Sequence, residues 1–448
     1  MTASLRSSHW GERIARILFE AVQAVEPGQA IGKFCQREGS TFLVADQPYD
    51  LNHHPHVFLA GAGKAGAPMA VKVGNILGPY LTNGIVVVKE GYLNISSLEK
   101  VKIYQAGHPI PDERGVQATH LIQGMLRECR QDDLVIYAIS GGGSALLTSP
   151  VADVSLESLQ ELTNLLLSRG ATINEINTLR KHLDEVKGGK LARIAGRATQ
   201  LGFILSDVVG DPLDVIASGP TAPDPTTYSQ AYEVLERYGL QDSVANEILK
   251  HIQAGMKGEI PDNPKEDDPL FTCVRNRIIG SNRQAAEAAL EQARKEGFQT
   301  LILTNFLQGE ARQAGQFLGS IARQVAVYGS PISRPACILA GGETTVTVTG
   351  NGSGGRNQEM ALGAVHALAG LKDIALVTLA TDGGDGPTDA AGAVVTGDTL
   401  ERAHKNGMEP QANLKNNDAY HFFNRLGDLL KPGPTLTNVN DLTFLFAF

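Results

Sequence analysis

The sequence predicts an α/β protein of two domains, and three observations support this fold class. Short, strongly apolar segments such as Val57–Ala60 and Leu134–Ile139 run directly into glycine-rich loops, which is typical of strands buried on both faces of a parallel sheet. Segments with helical periodicity follow these loops, and the alternation repeats along the chain. At 448 residues the chain is also too long for a single hydrophobic core.

Composition restricts the classes of function. A net charge of −9 and a pI near 5.7 argue against nucleic acid or an anionic membrane as the main partner. No apolar run approaches the ~18 residues of a membrane span, and the N-terminus has the pattern of an amphipathic helix from Ile14 to Val25 rather than of a signal peptide. The cysteines lack metal-ligand spacing and indicate reduced, buried thiols of a cytoplasmic protein: Cys35, Cys129, Cys273 and Cys337.

The first glycine loop follows the strand that begins at Val57. Gly61, Gly63 and Gly66 allow a tight turn and a close ligand, and the next helix points its free N–H groups at that turn, which favours an anion. Lys64 adds a mobile positive charge that suits a transferring phosphoryl group. The loop is therefore a candidate phosphate or carboxylate site.

Two other interpretations of the same loop remain open. The spacing of Gly61, Gly63 and Gly66 fits the dinucleotide fingerprint, and Glu90 follows the next apolar run at about the expected ~20 residues. This alternative predicts a nicotinamide-dependent dehydrogenase. The third interpretation is an ordinary strand-to-helix turn in which Lys64 is solvated.

A second anion-binding candidate follows the strand Leu134–Ile139. The N–H groups of successive glycines can form a nest for phosphate oxygens, with Ser144 capping the next helix. The alternative is a helix N-cap beside a tight turn. The residues concerned are Ser140, Gly141, Gly142, Gly143 and Ser144.

Asp207 comes directly after the predicted strand Gly202–Leu205, a favoured position for a metal ligand or a general base. Farther on, Lys257–Pro269 is rich in Pro, Asp and Lys and lacks a hydrophobic period. This segment is the candidate boundary between the two domains.

The densest polar cluster lies in the C-terminal half. Gly341–Thr345 leads into a β-rich segment, Val346–Thr349, and then into a glycine-rich loop that ends in Arg356. The planar, permanently charged guanidinium can stabilise developing phosphoryl charge. A flexible linker is the alternative, but a linker would not lead directly into an apolar helix at Met360–Leu368.

A third polar loop follows the predicted strand Ile374–Leu379. Asp382, Asp385 and Asp389 lie in a glycine-rich segment and can bind a divalent cation, although the EF-hand pattern is absent. The alternative is a loop built on Asx turns.

Together, these loops resemble the class II glycerate kinases, which combine a glycerate-kinase N-terminal region with a C-terminal MOFRL domain. The matching motifs span nearly the whole chain in one order: AGAGKA (60–65), GHPIP (107–111), SGGGSALL (140–147), INEINTLRKHL (173–183), KGGKLA (187–192), LSDVVGD (205–211), ASGPT (217–221), GEAR (309–312), GGETTV (341–346), GSGGRNQE (352–359), ATDGGDGPTDAAG (380–392) and TNVNDL (437–442).

The resemblance implies an enzyme that uses ATP and Mg²⁺ to phosphorylate D-glycerate, usually at the 2-hydroxyl. It implies that Lys64 and Arg356 are a catalytic pair and that the active site lies in a cleft between the domains. Asp207 is our candidate for the base or for a metal ligand, with Asp382 and Asp385 as further metal candidates. We assign Gly61, Gly63, residues 140–144, Glu343 and Asn357 to cofactor binding.

The expected domains are a Rossmann-like glycerate-kinase domain at 1–258, with a mostly parallel sheet and helices on both faces, and a smaller α/β domain at 259–448 that contains the MOFRL region at about 333–443. Two other functions remain open: an NAD(P)H-dependent hydroxypyruvate reductase that uses residues 61–66, and a non-catalytic phosphosugar-binding module. The sequence leaves the oligomeric state open, a homodimer included.

Overall fold

The computed structural model describes residues 1–91 and 99–448, which form two compact units. One unit is Pro27–Ile279, and the other combines Met1–Glu26 with Gly280–Phe448. The sequence placed the boundary at 258/259 and started the N-terminal domain at residue 1, so the observed division differs at both ends. None of the helices in this part of the chain has the length and apolar character that crossing a membrane requires.

The Pro27–Ile279 unit contains a six-stranded sheet in the order β6-β5-β4-β7-β8-β9. The pairings from β6 through β8 are all parallel, which confirms the predicted Rossmann-like sheet. A separate antiparallel sheet consists of β1, β2 and β3. The strands are β1 (Cys35–Glu38), β2 (Thr41–Val44), β3 (Gln47–Asp50), β4 (Val57–Ala62), β5 (Asn83–Lys89), β6 (Val101–Ala106), β7 (Leu134–Ile139), β8 (Thr199–Leu205) and β9 (Val274–Gly280).

Hydrophobic cores formed by the described residues stabilise this unit. Every residue of β4 and β7 is buried, as expected of central strands covered on both faces. The side chains on one face of these strands join a core with the neighbouring helices. A second core is formed by α7, α8, α10 and α11. The helices are α3 (Pro27–Phe34), α4 (Gly66–Leu77), α5 (Glu113–Arg127), α6 (Gly143–Leu146), α7 (Leu156–Ser168), α8 (Ile173–His182), α9 (Lys190–Ala195), α10 (Tyr228–Arg237) and α11 (Asn246–Met256).

The other unit contains a mixed sheet in the order β10-β11-β15-β12-β13-β14. Only the β10–β11 pair is parallel among its described pairings. Its elements are α1 (Ala3–Ser7), α2 (Gly11–Gln23), α12 (Asn282–Lys295), β10 (Gln299–Leu307), α13 (Ala311–Tyr328), β11 (Ala336–Gly342), α14 (Arg356–Leu368), β12 (Ile374–Ala380), β13 (Gly392–Thr396), α15 (Thr399–Lys405), α16 (Pro410–Lys415), α17 (Ala419–Leu426), β14 (Leu429–Leu430) and β15 (Asp441–Ala447).

One β-rich segment of this unit is not part of a sheet. The segment Val346–Thr349 forms no strand, and Val348 is 74% exposed. Instead, the side chain of Glu310 accepts hydrogen bonds from the N–H and the hydroxyl of Thr347, at 3.1 and 2.8 Å. A carboxylate therefore holds this β-branched segment in the place of a neighbouring strand.

The N-terminal helix α2 belongs to this second unit because it packs on α12. Ile14 and Ile17 are fully buried, and the guanidinium of Arg16 donates two hydrogen bonds to the carboxylate of Glu296, at 2.7 and 2.9 Å. Trp10 stacks on Phe448, with 4.8 Å between the ring centroids. The predicted amphipathic helix is confirmed, but its apolar face covers an element far away in the sequence.

Helices α13 and α14 approach each other closely. A Cβ on Gly315 would lie 1.9 Å from the carbonyl oxygen of Met360, and one on Gly363 would lie 2.4 Å from the carbonyl oxygen of Arg312. Such distances leave room only for hydrogen at these positions. The helix that begins at Arg356 is thereby held tightly against its neighbour.

Candidate active site

The first group of candidate residues lies where β4 and β7 end, side by side in the middle of the sheet. From β4 the strand order continues to β5 on one side, and from β7 to β8 on the other. Loops at such a switch point are where open α/β sheets bind ligands. We call the loops Gly61–Ala65 and Ser140–Ser144 the glycine-loop cluster.

Hydrogen bonds join the two loops directly. The N–H of Lys64 donates to the carbonyl oxygen of Gly141 over 2.9 Å, and the N–H of Ala65 donates to the hydroxyl of Ser140 over 3.0 Å. Gly63 has a φ of +128°, and a Cβ there would lie 2.2 Å from Ser140 Oγ. Glycine is therefore required at position 63 for both its conformation and its closeness to the second loop.

Three polar side chains lie around the second loop. A Cβ on Gly142 would lie 3.0 Å from the imidazole ring of His108 and 3.5 Å from Cγ of Lys64, and one on Gly141 would lie 1.9 Å from Oδ2 of Asp207. The structure thus brings together Lys64 and Asp207, two of the predicted catalytic residues. It adds His108, which sequence analysis did not assign to the site.

The imidazole of His108 is neutral at physiological pH. Burial and the positive charges of Lys64 and Lys89 lower the pKa of His108 to about 4. A neutral imidazole can donate a hydrogen bond from one ring nitrogen and accept one at the other. The GHPIP motif carried the only sequence signal for this residue.

The backbone of the second loop supplies the N–H groups of the predicted nest. Within residues 1–91 and 99–448, no carbonyl oxygen accepts a hydrogen bond from the N–H of Gly141 or of Gly142, whereas Gly143 N–H donates to the carbonyl oxygen of Ser140 over 3.1 Å. The Ser140 side chain is only 1% exposed and is used by Ala65. It shapes the turn, and the glycine N–H groups are the part that can face an anion.

The predicted capping role of Ser144 is wrong. Helix α6 begins after Gly142, which is left-handed, and no side chain caps it. The hydroxyl of Ser144 instead lies 2.7 Å from that of Ser218, which in turn donates to the side chain of Asn177 over 3.1 Å. Because α6 is preceded by a glycine turn, Ser144 lies inside the helix and links the loop to α8.

The second group of candidate residues lines a cavity in the other unit. Its volume of about 880 Å³ is within the usual range for small-molecule sites. Its wall includes Glu343, Arg356, Asp382 and Asp385, together with glycines of the 352–355 and 384–386 loops. We call this cavity the Arg356 pocket.

Two carboxylates hold the guanidinium of Arg356, the first residue of α14. Its Nε and Nη2 donate to the two oxygens of Asp441, at 2.5 and 3.2 Å, and its Nη1 donates to Glu343 over 2.6 Å. Burial would lower the pKa of Arg356, but the carboxylates of Asp441 and Glu343 raise it overall. Burial raises the pKa of Asp441 to about 6, although the charge of Arg356 opposes the shift. No role was predicted for Asp441 from the sequence.

Asp385 and Asn357 have structural positions around the start of α14. The carboxylate of Asp385 accepts hydrogen bonds from the N–H groups of Asn357 and Gln358, at 3.1 and 2.8 Å. Burial raises the pKa of Asp385, and these hydrogen bonds oppose the shift. Asn357 is fully buried and lies beneath the pocket rather than in its wall, so we retain it as a residue that positions Asp385.

A bound polyphosphate with Mg²⁺ would need protein oxygen ligands for the metal ion. In the part of the chain that the structure describes, no three His, Cys, Asp or Glu side chains are grouped to hold a metal ion. Mg²⁺ on a nucleotide needs only one or two carboxylates besides phosphates and water. Asp382 is exposed in the pocket wall and uses Oδ1 to accept from Gly384 N–H, and the buried hydroxyl of Thr344 in the same wall has no partner among the described residues. This donor set fits such a group.

Comparison with known proteins agrees with this description. Residues 13–253 match the family model described as a domain of unknown function, DUF4147, and residues 336–441 match that of the MOFRL family. The chain is 41% identical to the glycerate 2-kinase of Pyrococcus horikoshii, over 95% of each chain. It is 43% identical to the D-glycerate 2-kinase of Thermotoga maritima, over 86% of this chain and 89% of that one.

A solved structure of the Thermotoga maritima glycerate kinase has the same fold. Its TM-score is 0.87 at 38% identity, and the match covers 98% of this chain and 99% of that one. The α/β fold and these relatives define a phosphotransferase. With both family regions present in order, the chain belongs to the class II glycerate kinases.

Proposed function

We propose that this protein transfers the γ-phosphoryl group of ATP to D-glycerate and that the product is 2-phosphoglycerate. The observation that carries the proposal is the glycine-loop cluster, where a lysine, a neutral histidine and a carboxylate surround backbone N–H groups at the switch point of the sheet. Phosphoryl transfer requires positioning and charge neutralisation rather than a covalent step. The relatives from Pyrococcus and Thermotoga, which are glycerate 2-kinases, support the same choice of substrate.

Each residue of the glycine-loop cluster has a role in this proposal. The N–H groups of Gly141 and Gly142 bind phosphate oxygens, and the ammonium of Lys64 neutralises charge on the transferring group. Asp207 accepts the proton of the attacking hydroxyl. His108, being neutral, donates a hydrogen bond to a substrate oxygen without adding a second positive charge beside Lys64.

The Arg356 pocket supplies the second cation. We propose that Lys64 and Arg356 are both needed for the reaction, as the resemblance to the family implies, and that each binds an anionic group. Asp441 and Glu343 hold the guanidinium in one orientation, which leaves less conformational entropy to be lost when an anion binds. Asp382 is the side chain of this pocket that would hold Mg²⁺, which supplies charge neutralisation between phosphate oxygens when it is bound.

A coupled assay tests the proposed reaction. ADP release should require ATP, Mg²⁺ and D-glycerate together. L-glycerate is the matched control, because it differs only in the configuration at C2. Adding enolase alone should convert the product to phosphoenolpyruvate, because enolase uses 2-phosphoglycerate directly. A requirement for phosphoglycerate mutase would instead identify the 3-phosphate, and ADP release without glycerate would contradict the proposal.

The geometry of the described residues does not favour the hydroxypyruvate reductase alternative. Glu90, which that alternative assigns to a ribose, pairs with Arg114 over 3.1 Å. The alternative predicts NADH oxidation with hydroxypyruvate in the absence of ATP, and the same preparation can be tested for it. We also propose a cytoplasmic location, which agrees with four free cysteines, although Cys129 and Cys273 are partly exposed rather than buried as expected.

A further inference from the structure

The Pro27–Ile279 unit contains a cavity that has no part in the proposed reaction. It has a volume of about 310 Å³ and is lined by residues of α5, α9 and α11 and of the segment before Asn263. Arg127, Lys190, Arg193 and His251 are among its wall residues. We call it the Lys190 pocket.

The Lys190 pocket is separate from the glycine-loop cluster. Helix α5 begins beside that cluster, since a Cβ on Gly115 would lie 3.1 Å from the carbonyl oxygen of Leu146. Arg127 lies twelve residues farther along the same helix, which at 1.5 Å per residue is about 18 Å away. A ligand bound at Arg127 would therefore not occupy the proposed phosphoryl-transfer site.

Positive charge predominates in the wall. Arg127, Lys190 and Arg193 line the wall together with a single carboxylate, that of Glu185, which accepts a hydrogen bond from Gln123 over 3.2 Å. Arg193 also pairs with Asp268, outside the wall, over 3.9 Å. Such an imbalance in a recessed site attracts an anion. The chain as a whole has a net charge of −9, so this local excess of positive side chains is contrary to its overall charge.

The ammonium group of Lys190 is the deepest of these charges. It donates to the carbonyl oxygen of Lys181 over 2.7 Å, and across residues 1–91 and 99–448 no carboxylate forms an ion pair with it. Burial lowers the pKa of Lys190 to about 8. The carboxylates of Asp184 and Asp224 oppose that shift from a distance, and a bound anion would give this ammonium the direct partner that a desolvated charge favours.

The rest of the wall is suited to an organic group. The hydroxyl of Tyr228 lies 3.3 Å from Nε2 of His251, and burial lowers the pKa of His251, which therefore is neutral at physiological pH. Ile194 and Ile260 add apolar contacts. A phosphoryl group near Lys190 and Arg127 would thus leave the carbon chain of a ligand against aliphatic side chains.

We propose that the Lys190 pocket binds a small phosphate monoester, at a site distinct from that of the reaction. Arg127 and Lys190 bind the phosphoryl oxygens, and Ile194 and Ile260 contact the organic part. The inference does not rest on the proposed phosphorylation of glycerate, because binding is read directly and not through activity.

Two measurements on the full-length protein test this inference, with glycerol 3-phosphate and inorganic phosphate as probes. Lysine acetylation is followed by peptide mass spectrometry, and glycerol 3-phosphate should protect Lys190 but not the exposed Lys102 of β6. Calorimetry should show that Arg127→Ala weakens binding about tenfold, as expected for loss of a charge-assisted hydrogen bond. Arg197→Ala is the matched control, since it removes an exposed arginine just beyond α9 that does not line the pocket.

Different results would contradict the assigned site and the assigned role of its aliphatic wall. Equal acetylation of Lys190 with and without the ester, or equal affinity in Arg127→Ala and the parent protein, would overturn the assignment of the site. Equal affinity for inorganic phosphate and the ester would overturn the role of the aliphatic wall. Lys190→Gln provides a second variant, and thermal unfolding of each variant shows whether loss of binding reflects loss of the fold.

Discussion

At the residue scale, single side chains acquire their properties from what surrounds them. Lys64 and Arg356 are both cations at glycine-rich loops, yet their environments differ. Lys64 lies beside a neutral imidazole and a carboxylate, whereas Arg356 is fixed by hydrogen bonds to Asp441 and Glu343. The first can reorient toward a moving group, and the second is already oriented before a ligand arrives.

The first prediction concerns Lys64. Lys64→Ala should lower kcat by about 10²–10³-fold, which is the usual effect of removing one group that stabilises transition-state charge. Thermal unfolding should be nearly unchanged because the side chain is only half-buried. Lys102→Ala, an exposed lysine of β6, is the control, and full activity of the Lys64 variant would refute the assigned role.

The second prediction concerns pH. The ionised form of Asp441 holds Arg356, and the pKa of Asp441 is raised to about 6. As pH falls through that value the carboxyl takes up a proton and its attraction for the guanidinium weakens, so kcat/KM should decline on the acid side. Asp441→Asn should lower activity at pH 8 and remove this acid limb. An unaltered limb in the variant would assign it to another group.

At the element scale, the start of α14 is the feature that organises the Arg356 pocket. The first-turn N–H groups of this helix are bonded by the buried carboxylate of Asp385, and glycines allow α13 to approach closely. Arg356 is the first residue of the same helix. Its position thus depends on a cap from a distant loop and on the packing of the whole helix.

A pair of aspartates in one loop provides the third prediction. Asp385→Ala should lower the free energy of unfolding by about 1–2 kcal/mol, the usual effect of losing a helix cap, as measured by urea titration. Asp382→Ala should leave stability unchanged, because that side chain is exposed, and should raise the Mg²⁺ concentration needed for half-maximal activity. The opposite pattern would show that the assignments are reversed.

Two glycines provide the fourth prediction. Gly141→Ala should abolish activity, because the new Cβ would lie 1.9 Å from Oδ2 of Asp207. Gly124→Ala, in α5, has no heavy atom of a neighbour within 4 Å of the new Cβ and should raise stability by about 0.5–1 kcal/mol. Activity and chemical unfolding of both variants are the measurements. An active Gly141→Ala protein would show that Asp207 can move without consequence.

At the scale of the whole molecule, the chain does not divide at one point. The helix α2 completes the unit formed by Gly280–Phe448, and β9 completes the sheet of the Pro27–Ile279 unit. A linear division of the sequence therefore removes an element from each unit. The predicted boundary at 258/259 marks a polar segment that lies within one unit.

The fifth prediction compares two fragments. Residues 27–279 should unfold cooperatively on heating, because they contain the complete six-stranded sheet. Residues 1–258 should unfold at lower temperature and aggregate, because they lack β9 and expose the apolar face of α2. Circular dichroism and light scattering on heating are the measurements, and equal cooperativity of the two fragments would contradict the observed division.

Local sequence signals were sufficient for the parallel sheet and its loops. The predicted strand Leu134–Ile139 coincides with β7, and the apolar segment Val57–Ala60 lies within β4. The segment Val346–Thr349 shows the limit of such signals, because β-branched residues do not form a strand without a partner. The predicted N-cap at Ser144 was wrong because Gly142, which has a positive φ, already occupies the position before α6.

By itself, the sequence determined the fold class and the glycine loops that surround Lys64 and Arg356, because hydrophobic period and glycine position act over a few residues. The family followed from the resemblance of its ordered motifs. Only the tertiary structure decided which groups meet those cations. His108, Asp441 and the Lys190 pocket depend on contacts between residues far apart in the chain, and the pKa of a buried group depends on neighbours that no local pattern specifies.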